Sequence, residues 1–162
     1  MKLRSIHLEN FRSYKKINLK IENNKFIVLT GKNGTGKTNL LEAISFLSPG
    51  KGFKNCRLDE VINTDRNLNH CSIFFVIENG NEKNEIGISF ANENTGNRTQ
   101  GRKIIYLNGK KLKKKSDLPT LVSLIWLIPE MDIFFQTNSL FRRKFIDRCI
   151  FNLKPEYLDY LR

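Results

Sequence analysis

A glycine-bracketed Lys-Thr constrains this chain more than any other feature. Residues 31–38 read GKNGTGKT and match G-x-x-x-x-G-K-[S/T], with an apolar run before them, FIVLT at 26–30, and KTNLLEAISFLS at 37–48 after them. FIVLT predicts a strand buried on both faces, as in a parallel α/β sheet. The run that follows spaces Leu40, Leu41, Ile44 and Leu47 as a helix does and stops at Pro49-Gly50. Strand, glycine loop and helix in this order form a phosphate cradle. The glycines let backbone N–H groups curl around phosphate oxygens, and the helix N-terminus adds partial positive charge. In such a cradle Lys37 reaches the β- and γ-phosphates and the Thr38 hydroxyl ligates Mg²⁺. A glycine turn that only caps a helix is the bland alternative, and the flanking strand and helix weigh against it.

The 162 residues favour one domain of two or three packed layers. Lys+Arg of 28 against Asp+Glu of 16 leaves +12, which favours a polyanionic partner through counterion release. A lysine-coated solvated surface would give the same balance. The densest run, KKLKKK, supplies Lys110, Lys111, Lys113, Lys114 and Lys115 as candidate DNA-phosphate contacts, with a solvated loop as the alternative. Cys56, Cys71 and Cys149 are odd in number and form no C-x-x-C pair, so neither a disulfide framework nor a zinc site is expected, and a reducing cytoplasm is the natural setting. MKLRSIHLEN lacks a signal-peptide core, and LVSLIWLI at 121–128 is far shorter than the roughly 20 residues of a membrane helix, so no membrane association is expected.

Alternation in KLRSIHL (2–8) and KKINLKI (15–21) predicts two strands that pair, and Asn23-Asn24 turns the chain toward FIVLT. From Cys71 onward CSIFFVIE, EIGISFA and RKIIYLNGKKL predict an antiparallel layer, with Asn108-Gly109 as a two-residue hairpin turn. The fold class is therefore α/β, a mixed sheet with an antiparallel layer. Beyond it, SDLPTLV starts a short helix, SLIWLI is a candidate buried strand, and SLFRRKFIDRCIF is a helix with Leu140, Phe141, Phe145 and Ile146 toward the core. Pro155 opens a further helix, PEYLDYLR, which carries no stop signal before Arg162, so the chain reads as part of something longer.

A complete magnesium site needs an acid at the end of an apolar strand, and no segment supplies it cleanly. IFFVIE ends at Glu78, and LIWLIPEMD delays Asp132 behind Pro129-Glu130; both read more simply as core strands. Arg12 closes the first strand as either a surface arginine or a phosphate contact. Arg143 and Asp147 form an i,i+4 pair, a structural reading. His7 and His70 are isolated and carry no assigned chemistry.

Taken in order, LENFRSY, GKNGTGKTNLLEAISFLSPGKGF, YLNGKKL, WLIPEMDIFF and RRKFIDR resemble the N-terminal half of the RecF family of ABC/SMC-like ATPases. The resemblance spans nearly the whole chain and implies a P-loop ATPase head whose N-terminal part is residues 1–162. It implies ATP and Mg²⁺ held by Gly31, Lys32, Asn33, Gly34, Thr35, Gly36, Lys37, Thr38 and Asn39, with Arg12 approaching the phosphates and Glu130 near the metal or sensing the nucleotide. It further implies ATP-dependent binding of single-stranded or gapped DNA in replication, recombination, repair and the SOS response, an ATP-dependent homodimer of the full-length form, and a RecR-type recombination mediator as partner. Lys51 and Lys54 stand where the family tends to carry arginines, keeping the charge but losing the guanidinium fork. The signature loop, acidic strand and histidine switch of the family's second half are not visible, so ATPase activity would need them from elsewhere. A small complete P-loop kinase using Glu78 or Asp132 is the competing reading.

Overall fold

The computed structural model describes residues 1–22, 25–63, 69–95, 98–114, 117–129 and 139–161. Two compact units emerge: Met1–Phe46 with Gly50–Lys113, and Leu47–Pro49 with Lys114–Arg162.

The first unit is built on an antiparallel sheet of β1 (Lys2–Phe11), β2 (Tyr14–Lys20), β3 (His70–Asn79), β4 (Glu82–Thr95), β5 (Arg98–Leu107) and β6 (Lys110–Lys111), in the order β2-β1-β3-β4-β5-β6. Period-two alternation sets its register. Ile6 lies opposite Phe75, which lies opposite Ile86, and Leu8 lies opposite Ile73, which lies opposite Ile88. These six side chains are buried on one face, so a one-residue slip of any central strand would turn its apolar set to the other side. Asn108-Gly109 makes the predicted two-residue turn between β5 and β6, with φ of 49° and 78° as a type I′ turn requires. The Asn108 Oδ1 accepts the Glu85 N–H at 2.8 Å, which fixes that turn to β4.

Helix α1 (Lys37–Ser45) lies on the buried face. Phe46, just past its end, packs edge-on against Phe11 with centroids 6.1 Å apart and against Phe90 at 4.9 Å, joining the helix to β1 and β4. Lys103 on β5 closes the helix end: its Nζ donates to the Phe46 carbonyl at 3.0 Å and the Gly50 carbonyl at 3.4 Å, and lies 5.2 Å from the Phe46 ring centre. A cation at carbonyls left unpaired by a helix C-terminus is favourable. The helix is shorter than the expected 37–48, and Leu41, predicted to face inward, is half exposed.

FIVLT differs from its expectation. Residues 26–30 form no ladder, and Phe26 and Val28 are 85% and 81% exposed. An apolar run becomes a strand only when neighbouring backbone takes its N–H and C=O groups, and among the described residues none does. The Asn23-Asn24 turn lies outside the described residues.

The second unit holds α2 (Asp117–Leu121), α3 (Ser139–Leu153) and a 3₁₀ turn at Pro155–Asp159. SLIWLI likewise carries no ladder, and Leu127 is 80% exposed. Instead the Asn152 side chain grips it, donating from Nδ2 to the Leu124 carbonyl at 3.0 Å and accepting the Leu124 N–H at 3.3 Å. Arg148 lies 3.4 Å over the Trp126 ring, and burial lowers its pKa to about 10. Asp147 accepts the Tyr157 hydroxyl at 2.8 Å and faces Arg143 at 3.9 Å, in keeping with the structural reading of that pair. Ile146 is half exposed, against expectation, and the side chains of Leu140 and Phe141 lie outside the description. Pro155 starts a 3₁₀ turn, shorter than the predicted helix. No helix among the described residues is long and apolar enough to cross a membrane.

Candidate nucleotide site

Gly31, Gly34 and Gly36 adopt φ of 148°, 83° and 94°, values that side chains other than glycine rarely reach. Gly36 is the N-cap of α1 and offers no side-chain cap, so the first N–H groups of the helix keep their capacity for an anion. The loop from Gly31 to Thr35 is exposed, and space beside Gly34 is open for close approach. Thr35 closes the loop on itself, its hydroxyl donating to the Lys32 carbonyl at 2.9 Å. Lys37 folds back over the loop, with Nζ donating to the carbonyls of Gly31 at 2.7 Å and Lys32 at 2.6 Å. Its ammonium is therefore held at the mouth of the turn, where a phosphate would meet it.

The turn between β1 and β2 packs against this cradle. A Cβ added at Gly36 would lie 2.7 Å from the Tyr14 hydroxyl and 3.2 Å from Ser13 Oγ, so a side chain there would have to displace Tyr14 besides adopting an unfavourable φ. Asn39 donates from Nδ2 to Ser13 Oγ at 3.0 Å and accepts from Lys54 Nζ at 3.2 Å. Arg12, in the left-handed region at φ 50°, donates from Nε to Glu42 Oε2 at 3.0 Å, from Nη2 to Glu42 Oε1 at 2.6 Å, and from Nη1 to the Glu60 carbonyl at 2.8 Å. Burial works against the Arg12 charge, but the hydrogen bond and attraction of Glu42 outweigh it and the pKa is raised. Glu42 is completely buried and also takes Lys54 at 3.2 Å and the Cys56 thiol at 3.4 Å. Burial, reinforced by that carboxylate, pushes the Cys56 thiol up to about 11.

The predicted cradle, Asn39 and Arg12 are thus brought together in the first unit. Thr38 is exposed at the start of α1. Among the described residues no group of three His, Cys, Asp or Glu side chains could hold a metal by itself. Glu78 pairs with Arg4, accepting from Nε at 2.7 Å. Its register opposite Lys2 puts it at the far end of β1 from the Arg12 turn, on the order of 30 Å away along ten residues of strand. That position removes it as a metal ligand for this cradle and, with it, one support of the small-kinase reading. Glu130, Asp132 and Lys115 lie outside the described residues. Lys110 and Lys111 form the exposed edge strand β6, and Lys113 and Lys114 are exposed after it. Edge lysines also guard a sheet against pairing with another chain.

Sequence reasoning missed Glu42, although LLEAI contains it. At 100° per residue it sits at the margin of the arc that buries Leu40, Ala43 and Phe46, where pattern alone does not separate a surface glutamate from a buried one. Its neighbour in the apolar run is the available signal.

An antiparallel layer carrying a glycine loop and its helix defines the class: a P-loop ATPase head. A solved structure described as the recombination mediator protein RecF with ATPrS, in the RecFOR pathway, matches 99% of this chain at TM-score 0.80 and 27% identity. An SMC head domain from Thermotoga maritima matches 86% at TM-score 0.52 and 17% identity, a likeness of fold. The sequence family described as the RecF/RecN/SMC N-terminal domain matches residues 2–130, and this chain belongs to it. Proteins named DNA replication and repair protein RecF are similar throughout: that of Rickettsia typhi is 35% identical over 159 residues, and that of Rickettsia canadensis 35% over 157. The chain spans 41% of the length of each of these relatives, and 41% of the solved RecF chain.

Proposed function

We propose that this chain is the ATP-binding part of a RecF-like DNA replication and repair protein. The observation that carries the reading is the cradle itself: an uncapped helix N-terminus behind left-handed glycines, with Lys37 poised over the loop. Gly31 to Thr38 and Asn39 hold the triphosphate, Thr38 contributes its hydroxyl to Mg²⁺, and Arg12 stands beside the phosphates. The solved structure described as RecF-ATPrS supports this assignment of ligand.

In the longer form of such a protein, ATP joins two copies, and the joined basic surface takes single-stranded or gapped DNA. The Lys110 to Lys115 run is the candidate contact, supported by its exposure where described and by the +12 charge. A RecR-type mediator, a place in recombination and the SOS response, and a cytoplasmic setting belong to the same reading. Residues 1–162 are then one part of a single head, with Glu130 the candidate for a role near the metal or in sensing the nucleotide. Hydrolysis of the γ-phosphate would use groups supplied by the rest of that head.

Titration with a fluorescent ATP analogue in the presence of Mg²⁺ tests the cradle. Binding by the unmutated chain and its loss in Lys37→Ala are expected. Equal affinity of the two would overturn the reading. In the longer form, DNA affinity should rise with ATP, and that rise should vanish in Lys37→Ala.

A further inference from the structure

We infer that Glu42 is a positioning residue of the nucleotide site, presenting Arg12 and Lys54 to the phosphate cradle without touching the nucleotide. The inference rests on the ATP-binding reading above.

Four donors converge on one completely buried carboxylate: Nε and Nη2 of Arg12, Nζ of Lys54 and the thiol of Cys56. They come from the β1–β2 turn and from residues 54–56, two segments far apart in sequence. Stability alone is a poor reason for this arrangement, because an apolar group in place of a buried ion pair is often neutral or better. The backbone adds to the point. Asn10 and Arg12 both hold left-handed φ, 54° and 50°, a conformation that costs energy in residues other than glycine. Arg12 N–H to the Val61 carbonyl and Asn63 N–H to the Asn10 carbonyl, each 2.8 Å, lock the turn in that state. The result is a guanidinium fixed at a single place.

That place adjoins the cradle. Ser13 and Tyr14, the next two residues, lie against Gly36, and Asn39 links Ser13 to Lys54. Two cations share one carboxylate beside a loop built for phosphate, with the Glu60 charge also acting on Arg12, and the Glu42 carboxylate offsets the mutual repulsion of the cations. Glu42 itself has both oxygens engaged and no exposure, so it is unsuited to take a proton from water. Its part is to aim others.

The test compares Mg²⁺-dependent binding of a fluorescent ATP analogue by the full chain and its variants, with circular dichroism as the check on folding. Glu42→Gln is expected to weaken binding about tenfold or more, the size typical of groups that orient ligating residues, and Glu42→Asp to recover part of the loss. Arg12→Gln and the double variant Arg12→Gln/Glu42→Gln should bind alike, since Glu42 acts largely through Arg12. A folded Glu42→Gln that binds as well as the unmutated chain, or strictly additive losses in the double variant, would overturn the inference while leaving the cradle intact. Failure of the unmutated chain to bind would overturn the ATP reading and this inference with it. If Glu42→Gln does not fold, Lys54→Met and Arg12→Gln decide: severalfold weaker binding in each supports the inference, and unchanged affinity in both overturns it.

Discussion

The Arg12 guanidinium meets the Glu42 carboxylate at two points, Nε to Oε2 at 3.0 Å and Nη2 to Oε1 at 2.6 Å, joining the β1–β2 turn to the helix behind the glycine loop. The partners are unequally placed, with Glu42 fully buried and Arg12 retaining 19% of its side-chain exposure.

That inequality predicts an order of stabilities. Arg12→Ala leaves a buried carboxylate with Lys54 as its one remaining cation beside the weak Cys56 thiol donor, whereas Lys54→Ala leaves it the bidentate partner. Arg12→Ala should cost about 3 kcal/mol and Lys54→Ala about 1 kcal/mol or less. Urea unfolding of the two variants checks the order, and equal midpoints would contradict it.

Gly36 should tolerate no side chain. Gly36→Ala sets a Cβ against the Tyr14 hydroxyl and forces alanine to φ 94°, so a loss of about 2 kcal/mol is expected. Adding Tyr14→Ala removes the clash but leaves the backbone strain. Thermal melts of the single and double variants should therefore show partial recovery.

Alkaline pH should destabilise the fold through Cys71 and Cys56. Burial pushes the Cys71 thiol from 9.0 up to about 12, and burial with Glu42 pushes Cys56 to about 11. Above pH 9 the unfolded chain releases thiol protons that the folded chain keeps, so stability present below that pH is lost as pH rises toward 11 and 12. Cys71→Ala should flatten the fall of the urea midpoint between pH 8 and 11. An unchanged slope would show that other groups dominate.

Phe26 and Val28 give this chain an exposed apolar segment ahead of its glycine loop. Val28→Lys should reduce binding of an apolar dye and self-association while moving the melting temperature little, since an exposed side chain contributes little to packing. Light scattering and dye fluorescence on the variant check it.

Several parts of this architecture were legible because they depend on near neighbours in sequence. Alternation around Ile6, Ile73 and Ile88 points to strands, Asn108-Gly109 to a two-residue hairpin turn, and the glycine spacing from Gly31 to Gly36 to a loop leading into a helix. Apolar runs without alternation were less informative. FIVLT reads as a buried strand and SLIWLI as a candidate one, but a ladder requires a partner, and hydrophobicity does not specify one.

By itself, the sequence determined the cradle, since φ at a glycine and the periodicity of α1 are local properties of the chain. It also determined the antiparallel layer, whose register follows from which residues must leave water. Only the tertiary structure decided what surrounds the cradle: that Tyr14 closes over Gly36, that Glu78 is paired with Arg4 away from the loop, and that Glu42 lies inside holding Arg12 and Lys54. Burial of a charge depends on partners that arrive from elsewhere in the chain, and neither a helical wheel nor a motif contains them.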